Sequence, residues 1–530
     1  MAEPVLITGS DLDPSALEAI ARDGAPVEID PDARARMAES AAILERAAAS
    51  GRPIYGVTTG LGSRVTDAVA PRESAGYPLR TIRGRATGVG EPLAREIVRA
   101  AIAVRLNGLC TGGSGARPTL ADGLAGLLNA GVHPAIPRSG SIGASDLCLM
   151  AHVGLALIGE GRAELEGEWM DTGDALARSG LGVIPLGPRD GLAICSSSAI
   201  AIGAATLALR DARACLDSAQ VSAALSMEGF RASLTPLDPR VVAARPAPGQ
   251  AWAAEGLRGL LKGSALAEVD RPRRLQDPLS FRCASLVHGA LHVALDALEA
   301  AIEPELAGAA DNPLVLPPEG DDRDRPEGPE ILSTGNFSSP ALALALDGAA
   351  IACAQVAHTI AERQARLKET RLSGLPSNLV EVDPDRAASR SGVAPLSKTA
   401  AALVLEIRHL AAPIAILQEV TADGVEDDMT GALQGALRLR EQLMRLRLLI
   451  ALELLVAAQA VDIAHPSRTP NGGEVAQLGA GTGAAHRAVR ELIPPLREDR
   501  ALGPEVERLE RNLLASGALS DRVAATDAAA

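Results

Sequence analysis

The chain has 530 residues and a formal net charge of −15 at pH 7, so no basic face is concentrated enough to hold nucleic-acid phosphates. Apolar residues make up 47% of the chain, which supports a large core and excludes a long disordered composition. Aromatic residues amount to only 1%, so that alanine, leucine and valine must fill the interior, which favours closely packed helices.

Residues 1–200 form the predicted N-terminal region, where short helical patterns alternate with turns rich in glycine and proline, such as YGVTTGLGS and HPAIPRSGSIGAS. The N-terminus has no basic segment followed by an apolar one, which predicts a soluble cytoplasmic protein. Six widely spaced cysteines include no C-x-x-C pair, so neither a zinc site nor a disulfide framework is indicated. We therefore expect no metal and no external cofactor.

One stretch of this region, GSIGASDLCLMAH, has the glycines of a tightly bent backbone. A backbone amide nitrogen that attacks the carbonyl carbon two residues earlier closes a five-membered ring, and dehydration of the serine between them gives an electrophilic methylidene group. Glycine at the attacking position makes the approach easier because it lacks a Cβ. Here the residue that follows Ala144 and Ser145 is Asp146.

Residues 201–464 form the predicted central region, in which apolar residues recur at three- and four-residue intervals with few helix breakers. Five long helices are predicted, each of six or more turns, and they begin near Ala199, Arg282, Ala341, Ser397 and Met429; the fourth runs to Val420. Helices that are apolar over most of their surface predict a bundle whose outer faces are covered by further protein, and hence an oligomer.

The most apolar stretch, LLIALELLVAAQAVDIA, contains Glu453 and Asp462, which favours a buried helix over a membrane span. An acidic, proline-rich surface loop is predicted from Leu316 to Glu330. Residues 465–530, with shorter charged helices, are predicted to form a C-terminal helical cap.

The order of several motifs resembles the aromatic amino acid lyase superfamily, which includes histidine and phenylalanine ammonia-lyases and aminomutases. These motifs extend from Tyr55 to Arg500, and they are YGVTTGLG, GVGEPLAREIVR, GSGAR, LLNAGVHPAIP, LIGEG, LQDPLSFRC, ADNPLV, GNFSSPALALALD and GTGAAHRAVRELIPPLREDR. The resemblance implies an all-α fold with a central long-helix bundle of the histidine ammonia-lyase type. It also implies a homotetramer whose active sites draw residues from three chains.

The family builds a methylidene-imidazolone (MIO) group from Ala-Ser-Gly, and this chain departs from that pattern. Alignment on the family's segment leaves Ala144-Ser145 followed directly by Asp146, with the glycine deleted. Ser196 takes the place of the asparagine that helps to hold the MIO group, and Leu279 takes the place of a tyrosine. The pair that helps to select the substrate ring is matched by Gly84-Arg85. Further departures are Ala247, Ser338 and Ser397-Lys398.

Other functional positions of the family are retained. Tyr55 matches the mobile-loop tyrosine that acts as a base, although a tyrosine there can also be a packing residue. Arg282 matches the residue that binds the substrate carboxylate, for which a guanidinium has the right bidentate geometry; its alternative is a structural salt bridge. Further positions implied to line the site are Gln276, Asn312, Phe337 and Glu426. His152 and His288 lie on apolar helical patterns and are predicted to be core residues.

Two roles remain open for Asp146, as an additional acid or base and as the cap of the helix that begins at Leu147. Arg85 either points to solvent or favours a second anionic group in the pocket. The sequence favours an ammonia-lyase-like enzyme without a mature MIO group that abstracts a proton from a small carboxylate-bearing substrate, with elimination or cyclisation. The alternatives are a MIO-dependent amino acid ammonia-lyase or aminomutase, and a non-catalytic paralogue with a binding or assembly role.

Overall fold

The computed structural model describes residues 3–268, 271–316, 330–380, 389–417, 419–465 and 477–527. Most of the predicted acidic loop and the start of the predicted C-terminal cap lie outside these residues. The described chain divides into two compact units, each discontinuous in sequence. Unit 1 comprises residues 1–208, 298–346 and 413–437, and unit 2 comprises residues 209–297, 347–412 and 438–530. The division into three consecutive regions stays a prediction.

The long-helix bundle expected from the sequence is confirmed, and four of the five helices have nearly the predicted bounds. These helices are α9 (Ala199–Phe230), α13 (Ala284–Ala307), α14 (Pro340–Lys368) and α17 (Ala432–Ala464). The fifth, α16 (Leu396–Leu410), ends ten residues before the predicted Val420, so that prediction was wrong. Pro413 is the reason, because proline lacks the amide donor and its ring disfavours helical geometry in the preceding residue.

Small residues let these helices approach closely. Close approach is needed because the chain has few aromatic side chains to fill the space between helices. In unit 1, a Cβ on Gly203 of α9 would lie 2.9 Å from the Cβ of Ala100. In unit 2, a Cβ on Gly229 of α9 would lie 2.8 Å from the Cβ of Ala460 of α17. Such contacts leave no room for a methyl group, so glycine is required at both crossings.

A buried ion pair joins two helices of the bundle in unit 2. Arg363 of α14 donates through Nε to Glu453 Oε1 of α17 at 2.7 Å, and both side chains are fully buried. Ser222 and Ser226 of α9 donate to the same carboxylate at 2.6 and 3.0 Å. A buried charge pair with additional hydrogen bonds fixes the register of neighbouring helices.

The described residues also form shorter helices. They are α1 (Pro14–Glu18), α2 (Pro31–Ala49), α3 (Tyr77–Arg85), α4 (Arg95–Cys110), α5 (Pro118–Ala130), α6 (Leu147–Leu157), α7 (Thr172–Arg178), α8 (Asp190–Cys195), α10 (Pro239–Ala244), α11 (Gln250–Leu260), α12 (Leu279–Arg282), α15 (Thr370–Ser373), α18 (Ala480–Leu492), α19 (Gly503–Leu509) and α20 (Ala518–Asp527).

The strands are short and occur in unit 1. They are β1 (Val5–Ile7), β2 (Val27–Ile29), β3 (Val89–Pro92), β4 (His133–Pro134), β5 (Pro137–Ser139), β6 (Arg162–Leu165), β7 (Glu168–Asp171), β8 (Leu314–Leu316) and β9 (Glu330–Leu332). β1 and β2 pair in parallel, with Val5 opposite Val27. The other pairs are antiparallel: β3 with β5, β4 with β6, β6 with β7, and β8 with β9.

Three helical segments are long and apolar enough to cross a membrane by length and composition alone: Asp190–Phe230, Ala284–Ala307 and Pro340–Lys368. The most apolar window of the first is 100% buried inside the protein, as expected for the centre of a helical bundle. The corresponding windows of the other two are 39% and 56% buried, so these helices carry apolar surface that the single chain leaves uncovered.

Candidate active site

The segment Ser141–Asp146 is held by the two residues that immediately precede α17, all within unit 1. Thr430 donates through Oγ1 to the Gly143 carbonyl at 3.0 Å, and the Gly431 amide donates to the Ile142 carbonyl at 3.1 Å. Gly143 has φ +84°, and a Cβ there would lie 2.2 Å from Thr430 Oγ1. Only glycine adopts this positive φ without strain and has no Cβ to collide with Thr430. The fold therefore requires this glycine of the motif.

Ser145 adopts a left-handed conformation with φ +65°, a strained region for a residue with a side chain. The next amide, that of Asp146, donates to the Ser197 carbonyl at 2.8 Å. This is the nitrogen that would have to attack the Ala144 carbonyl carbon for ring closure. Its hydrogen is therefore directed at the loop that precedes α9.

The Asp146 carboxylate is fully buried and caps a helix, but not the one predicted. It makes no capping hydrogen bond to α6, which begins one residue later, so the expectation of a cap on that helix was wrong. Instead, Oδ2 accepts from the Ala201 amide at 2.9 Å in the first turn of α9, and Oδ1 accepts from Ser141 Oγ at 2.7 Å. The carboxylate thus lies at the positive end of a 32-residue helix dipole.

Burial raises the pKa of Asp146 to about 6, against the opposing effect of these hydrogen bonds. Desolvation is the larger effect because no cationic side chain among the described residues pairs with the carboxylate.

Ser196, Phe337 and Ala144 meet at the same place in unit 1. Ser196 ends α8, and Ser198, two residues later, donates through Oγ to the Phe337 carbonyl at 2.8 Å. Ser338, the next residue, forms a backbone bridge with Ala144. The structure therefore brings together three of the residues that the sequence placed in the site.

The loop that carries Tyr55 packs on α8. A Cβ on Gly56 would lie 2.2 Å from a methyl carbon of Leu192 in that helix. The Tyr55 hydroxyl accepts a hydrogen bond from the Gly62 amide at 3.0 Å. The other tyrosine, Tyr77, donates to the carbonyl of Thr59 in the same loop at 3.2 Å.

The outer part of this loop contacts the turn that carries Glu426. Ser63 donates through Oγ to Asp423 Oδ2 at 2.9 Å. Glu426 accepts from Thr421 Oγ1 at 2.9 Å, and the backbones of these two residues bridge across the turn. Glu426 is thus placed beside the tyrosine loop through a hydrogen-bonded turn.

Arg85 is half-buried at the end of α3, whereas the preceding Gly84 is exposed. Burial raises the pKa of Tyr77 and raises that of Cys195 to about 12, and the charge of Arg85 opposes both shifts. Whether Arg85 points to solvent or into the pocket stays a prediction.

Asn312 belongs to a polar cluster of unit 1. Its side-chain oxygen accepts from the Thr334 amide at 3.0 Å, and its carbonyl accepts from Arg189 at 3.1 Å. Arg189 and Arg105 both face Asp311, at 3.6 and 2.8 Å. Burial lowers the pKa of Arg189 to about 10, and Tyr55 is one of the acidic groups that oppose this shift.

Gln276, Leu279 and Arg282 belong to unit 2 and lie close together there. Arg282 is half-buried and donates through Nε to the Asp277 carbonyl at 2.8 Å, and its other nitrogens have no hydrogen bond to a residue that the structure describes. Gln276 and Leu279 are exposed. Leu279 has an exposed fraction of 63%, unusual for leucine.

The two histidines predicted to be core residues are buried or half-buried, and burial lowers the pKa of each; that of His288 falls to about 3. Sequence reasoning missed Ser141, Ser197, Ala201 and Thr430, which hold the segment, because the contacts join positions far apart in the chain. Tyr77 was also missed, although its being the second of only two tyrosines was an available signal.

Known proteins resemble this chain over its whole length. Histidine ammonia-lyase of Symbiobacterium thermophilum is 36% identical over 523 residues, which cover 98% of each chain. Among solved structures, tyrosine aminomutase from Streptomyces globisporus matches with a TM-score of 0.89 and 31% identity over 99% of each chain. Ergothionase from Treponema denticola matches with a TM-score of 0.88 and 30% identity, covering 98% of this chain and 99% of that one.

The fold and the site therefore define an ammonia-lyase-type helical protein, and the relatives named histidine ammonia-lyase are carbon–nitrogen lyases. The family model of the aromatic amino acid lyases matches residues 12–491. The chain belongs to the aromatic amino acid lyase family.

Proposed function

We propose that this protein is a lyase-type enzyme in which Ala144-Ser145-Asp146 remains an ordinary peptide. Tyr55 acts as the base and Arg282 binds a carboxylate of a small substrate. The observation that carries the proposal is the environment of Asp146, whose amide and carboxylate both have other partners.

The residues present do not fit an MIO group. Ring closure requires the Asp146 nitrogen to leave the Ser197 carbonyl, and the attached carboxylate to leave Ser141 and the first turn of α9. Each lost hydrogen bond to a buried charged group costs about 1.5–3 kcal/mol. Ser196, shorter than asparagine, supplies no amide group at the position where the family holds the electrophile. We infer that Asp146 positions the segment and takes no part in proton transfer.

Without an electrophile, loss of an amine from an unactivated amino acid is difficult, since the β-hydrogen is weakly acidic and the amine is a poor leaving group. The substrate then needs a more acidic hydrogen or a better leaving group. Tyr55 is suited to remove such a hydrogen because the Gly62 amide, at 3.0 Å from its oxygen, is placed to stabilise negative charge there. Arg282 is suited to hold the substrate because its terminal nitrogens are available in a bidentate geometry.

A second candidate is a MIO-dependent ammonia-lyase or aminomutase, which the relatives named histidine ammonia-lyase and tyrosine aminomutase favour. The exposure of Leu279, where the family has a tyrosine, favours the third alternative, a non-catalytic paralogue. We propose a homotetramer and a cytoplasmic location for each of the three alternatives.

Intact-protein mass spectrometry separates the first two candidates, because MIO formation removes two waters, about 36 Da. We expect the purified chain to have the mass of its unmodified sequence and to be unchanged by borohydride. A variant with a glycine inserted between Ser145 and Asp146 is the matched control, since it restores the family's spacing. A wild-type mass lower by two waters, or a reducible group at Ser145, contradicts the proposal.

Catalysis is tested in D2O by following deuterium incorporation next to the carboxylate in a panel of small carboxylic acids by NMR. We expect incorporation with wild type and with Tyr77→Phe, and none with Tyr55→Phe. Equal incorporation with both tyrosine variants removes Tyr55 from the reaction. No incorporation by wild type into any compound favours the paralogue.

A further inference from the structure

A row of side chains crosses the three-stranded sheet of unit 1, whose strand order is β4–β6–β7. His133 of β4 lies opposite Glu164 of β6, and Glu164 lies opposite Trp169 of β7. Residues directly opposite each other on neighbouring strands share a face of the sheet, so these three side chains form one row. With the residues that begin α4, they line a cavity of about 240 Å³. The residues that line it are not among those of the candidate active site.

The imidazole of His133 offers a hydrogen-bond donor that has no partner. His133 is 7% exposed, and burial lowers its pKa to about 4, so the ring is neutral. Nε2 lies 3.3 Å from Arg99 Nη1, and a guanidinium only donates, so Nε2 is the acceptor and Nδ1 carries the hydrogen. Nδ1 is buried and has no hydrogen bond to any residue that the structure describes. A buried donor without an acceptor is costly, and an acceptor oxygen of a ligand offsets that cost.

The charged side chains beside this cavity carry more positive than negative charge, although the net charge of the chain is −15. Arg95 lines the cavity and donates through Nε to Glu164 Oε2 at 3.2 Å, so these two charges offset each other. Arg99, one helical turn later on α4, is 5% exposed and bonds to His133 and to two backbone carbonyls. Its charge lacks a carboxylate partner among the described residues, and its Nη2 is buried without a hydrogen bond. An uncompensated guanidinium beside a cavity favours an anion there.

Trp169 gives the cavity a flat apolar wall. The residue is 44% exposed, so part of its ring is available to a ligand. The guanidinium of Arg162 lies 5.9 Å from the ring centroid and adds a further positive charge to this face of the sheet. An aromatic ring that packs on the indole gains from offset stacking. Since a cavity of about 150 Å³ holds benzene, this one has room for a single ring that bears a carboxylate.

We propose that this cavity is a second ligand site of the protein and that it binds a small aromatic carboxylate. The carboxylate lies beside His133 and Arg95, where it accepts from Nδ1 and balances the excess positive charge, and the ring packs on Trp169. The unpaired imidazole donor, in one row with an exposed indole, is the observation that carries the proposal. No residue assigned to catalysis takes part, so the site goes beyond the proposed function and does not depend on it.

Tryptophan fluorescence reports on this cavity selectively, because Trp169 and Trp252 are the only tryptophans of the chain. Trp252 belongs to unit 2, where it stacks on His292. In Trp252→Phe, we expect benzoate to change the emission of Trp169 in a saturable way. Benzoate should bind about tenfold or more tightly than benzamide, which lacks the charge, and than cyclohexanecarboxylate, which lacks the flat ring. In Trp169→Phe, which retains Trp252, the response should disappear.

Substitutions in the Trp252→Phe background locate the bound carboxylate. Arg95→Gln and His133→Phe should each weaken benzoate binding about tenfold or more. Arg83→Gln is the matched control, because Arg83 is exposed and pairs with Glu160 at the surface, and it should change the affinity by less than about threefold. Arg282→Met, which removes the carboxylate-binding residue proposed for the active site, should leave the Trp169 response unchanged. Circular dichroism shows whether each variant is folded, and Arg95, with about half of its side chain exposed, keeps the test decisive if the buried substitution does not fold.

The absence of a saturable response in Trp252→Phe overturns the proposal, and so does equal affinity for benzoate and benzamide. A folded Arg95→Gln that binds benzoate as tightly as its parent also overturns it. Loss of the response in Arg282→Met places the benzoate in the candidate active site instead. The proposed function is tested by mass and by deuterium incorporation, so either proposal can fail while the other stands.

Discussion

A single aspartate, Asp146, is subject to two opposing demands. In this chain Asp146 supplies the nitrogen that stands where the family has glycine, and its carboxylate caps α9 from a buried position. Ring closure and capping of α9 conflict, because a residue held at both its amide and its carboxylate does not move readily towards the Ala144 carbonyl.

Asp146 also makes stability depend on pH in a direction opposite to that of most paired carboxylates. Its pKa is raised from 3.8 to about 6, so folding favours the protonated form. The contribution of Asp146 to the free energy of unfolding is therefore fully present below pH 3.8 and is lost as pH rises through 6. The loss is about 3 kcal/mol, since each unit of pKa shift corresponds to about 1.36 kcal/mol.

We expect Asp146→Asn to remove this dependence, because an amide can accept from Ala201 and donate to Ser141 without ionising. Between pH 4 and pH 7, the Tm of wild type should shift downward relative to that of the variant by about 3 °C. Scanning calorimetry at several pH values measures the difference, with Asp174→Asn, an exposed position on α7, as the control. Parallel Tm curves for wild type and Asp146→Asn contradict the assignment.

A substitution of Arg282 tests its proposed role in carboxylate binding. Arg282→Met should weaken carboxylate binding by about 2–5 kcal/mol if the guanidinium forms a desolvated pair with the ligand. Calorimetric titration measures this change, and Arg271→Met is the control because Arg271 is exposed and pairs with Glu268. An unchanged affinity in a folded variant removes Arg282 from the site.

At the scale of elements, periodicity predicted the long helices well because each is apolar on most faces and contains few breakers. It failed for α16, because the apolar periodicity continues past Pro413 whereas the helix ends at Leu410. The short strands and the capping of α9 by Asp146 were not predictable, since both depend on contacts between distant parts of the chain. The site residues came from motif matching rather than from periodicity.

The outer part of the loop that carries Tyr55 contacts the turn at Thr421–Glu426 through the hydrogen bond from Ser63 to Asp423. Asp423→Ala removes the acceptor of the Ser63 hydroxyl, and a hydrogen bond of this kind contributes about 0.5–1.5 kcal/mol. Hydrogen–deuterium exchange of residues 60–69 should accelerate by about two- to tenfold. Asp427→Ala is the control, since Asp427 is exposed in the same turn. Equal exchange in the two variants shows that the contact does not hold the loop.

At the scale of the whole molecule, unit 2 carries apolar side chains that a single chain leaves exposed. Ile351 of α14, Leu405 of α16 and Met444 of α17 have exposed fractions of 43%, 67% and 55%. α13, α14 and α16 also line an open groove of about 430 Å³ that is mostly apolar. Exposed apolar surface of this kind marks protein–protein contact, and closed symmetric assemblies are the usual way to cover it.

We therefore expect a homotetramer, as the family resemblance implies, with a mass about four times the 54.2 kDa of the chain. Light scattering coupled to size exclusion measures this mass. The double substitution Ile351→Asp and Leu405→Asp should yield smaller species, because it places two carboxylates where apolar contact is required. Val183→Asp is the control, since Val183 is 62% exposed, belongs to unit 1 and is not part of a long helix. A monodisperse wild-type monomer at working concentration rejects the tetramer, and a double variant that stays tetrameric places the subunit contacts on other surfaces.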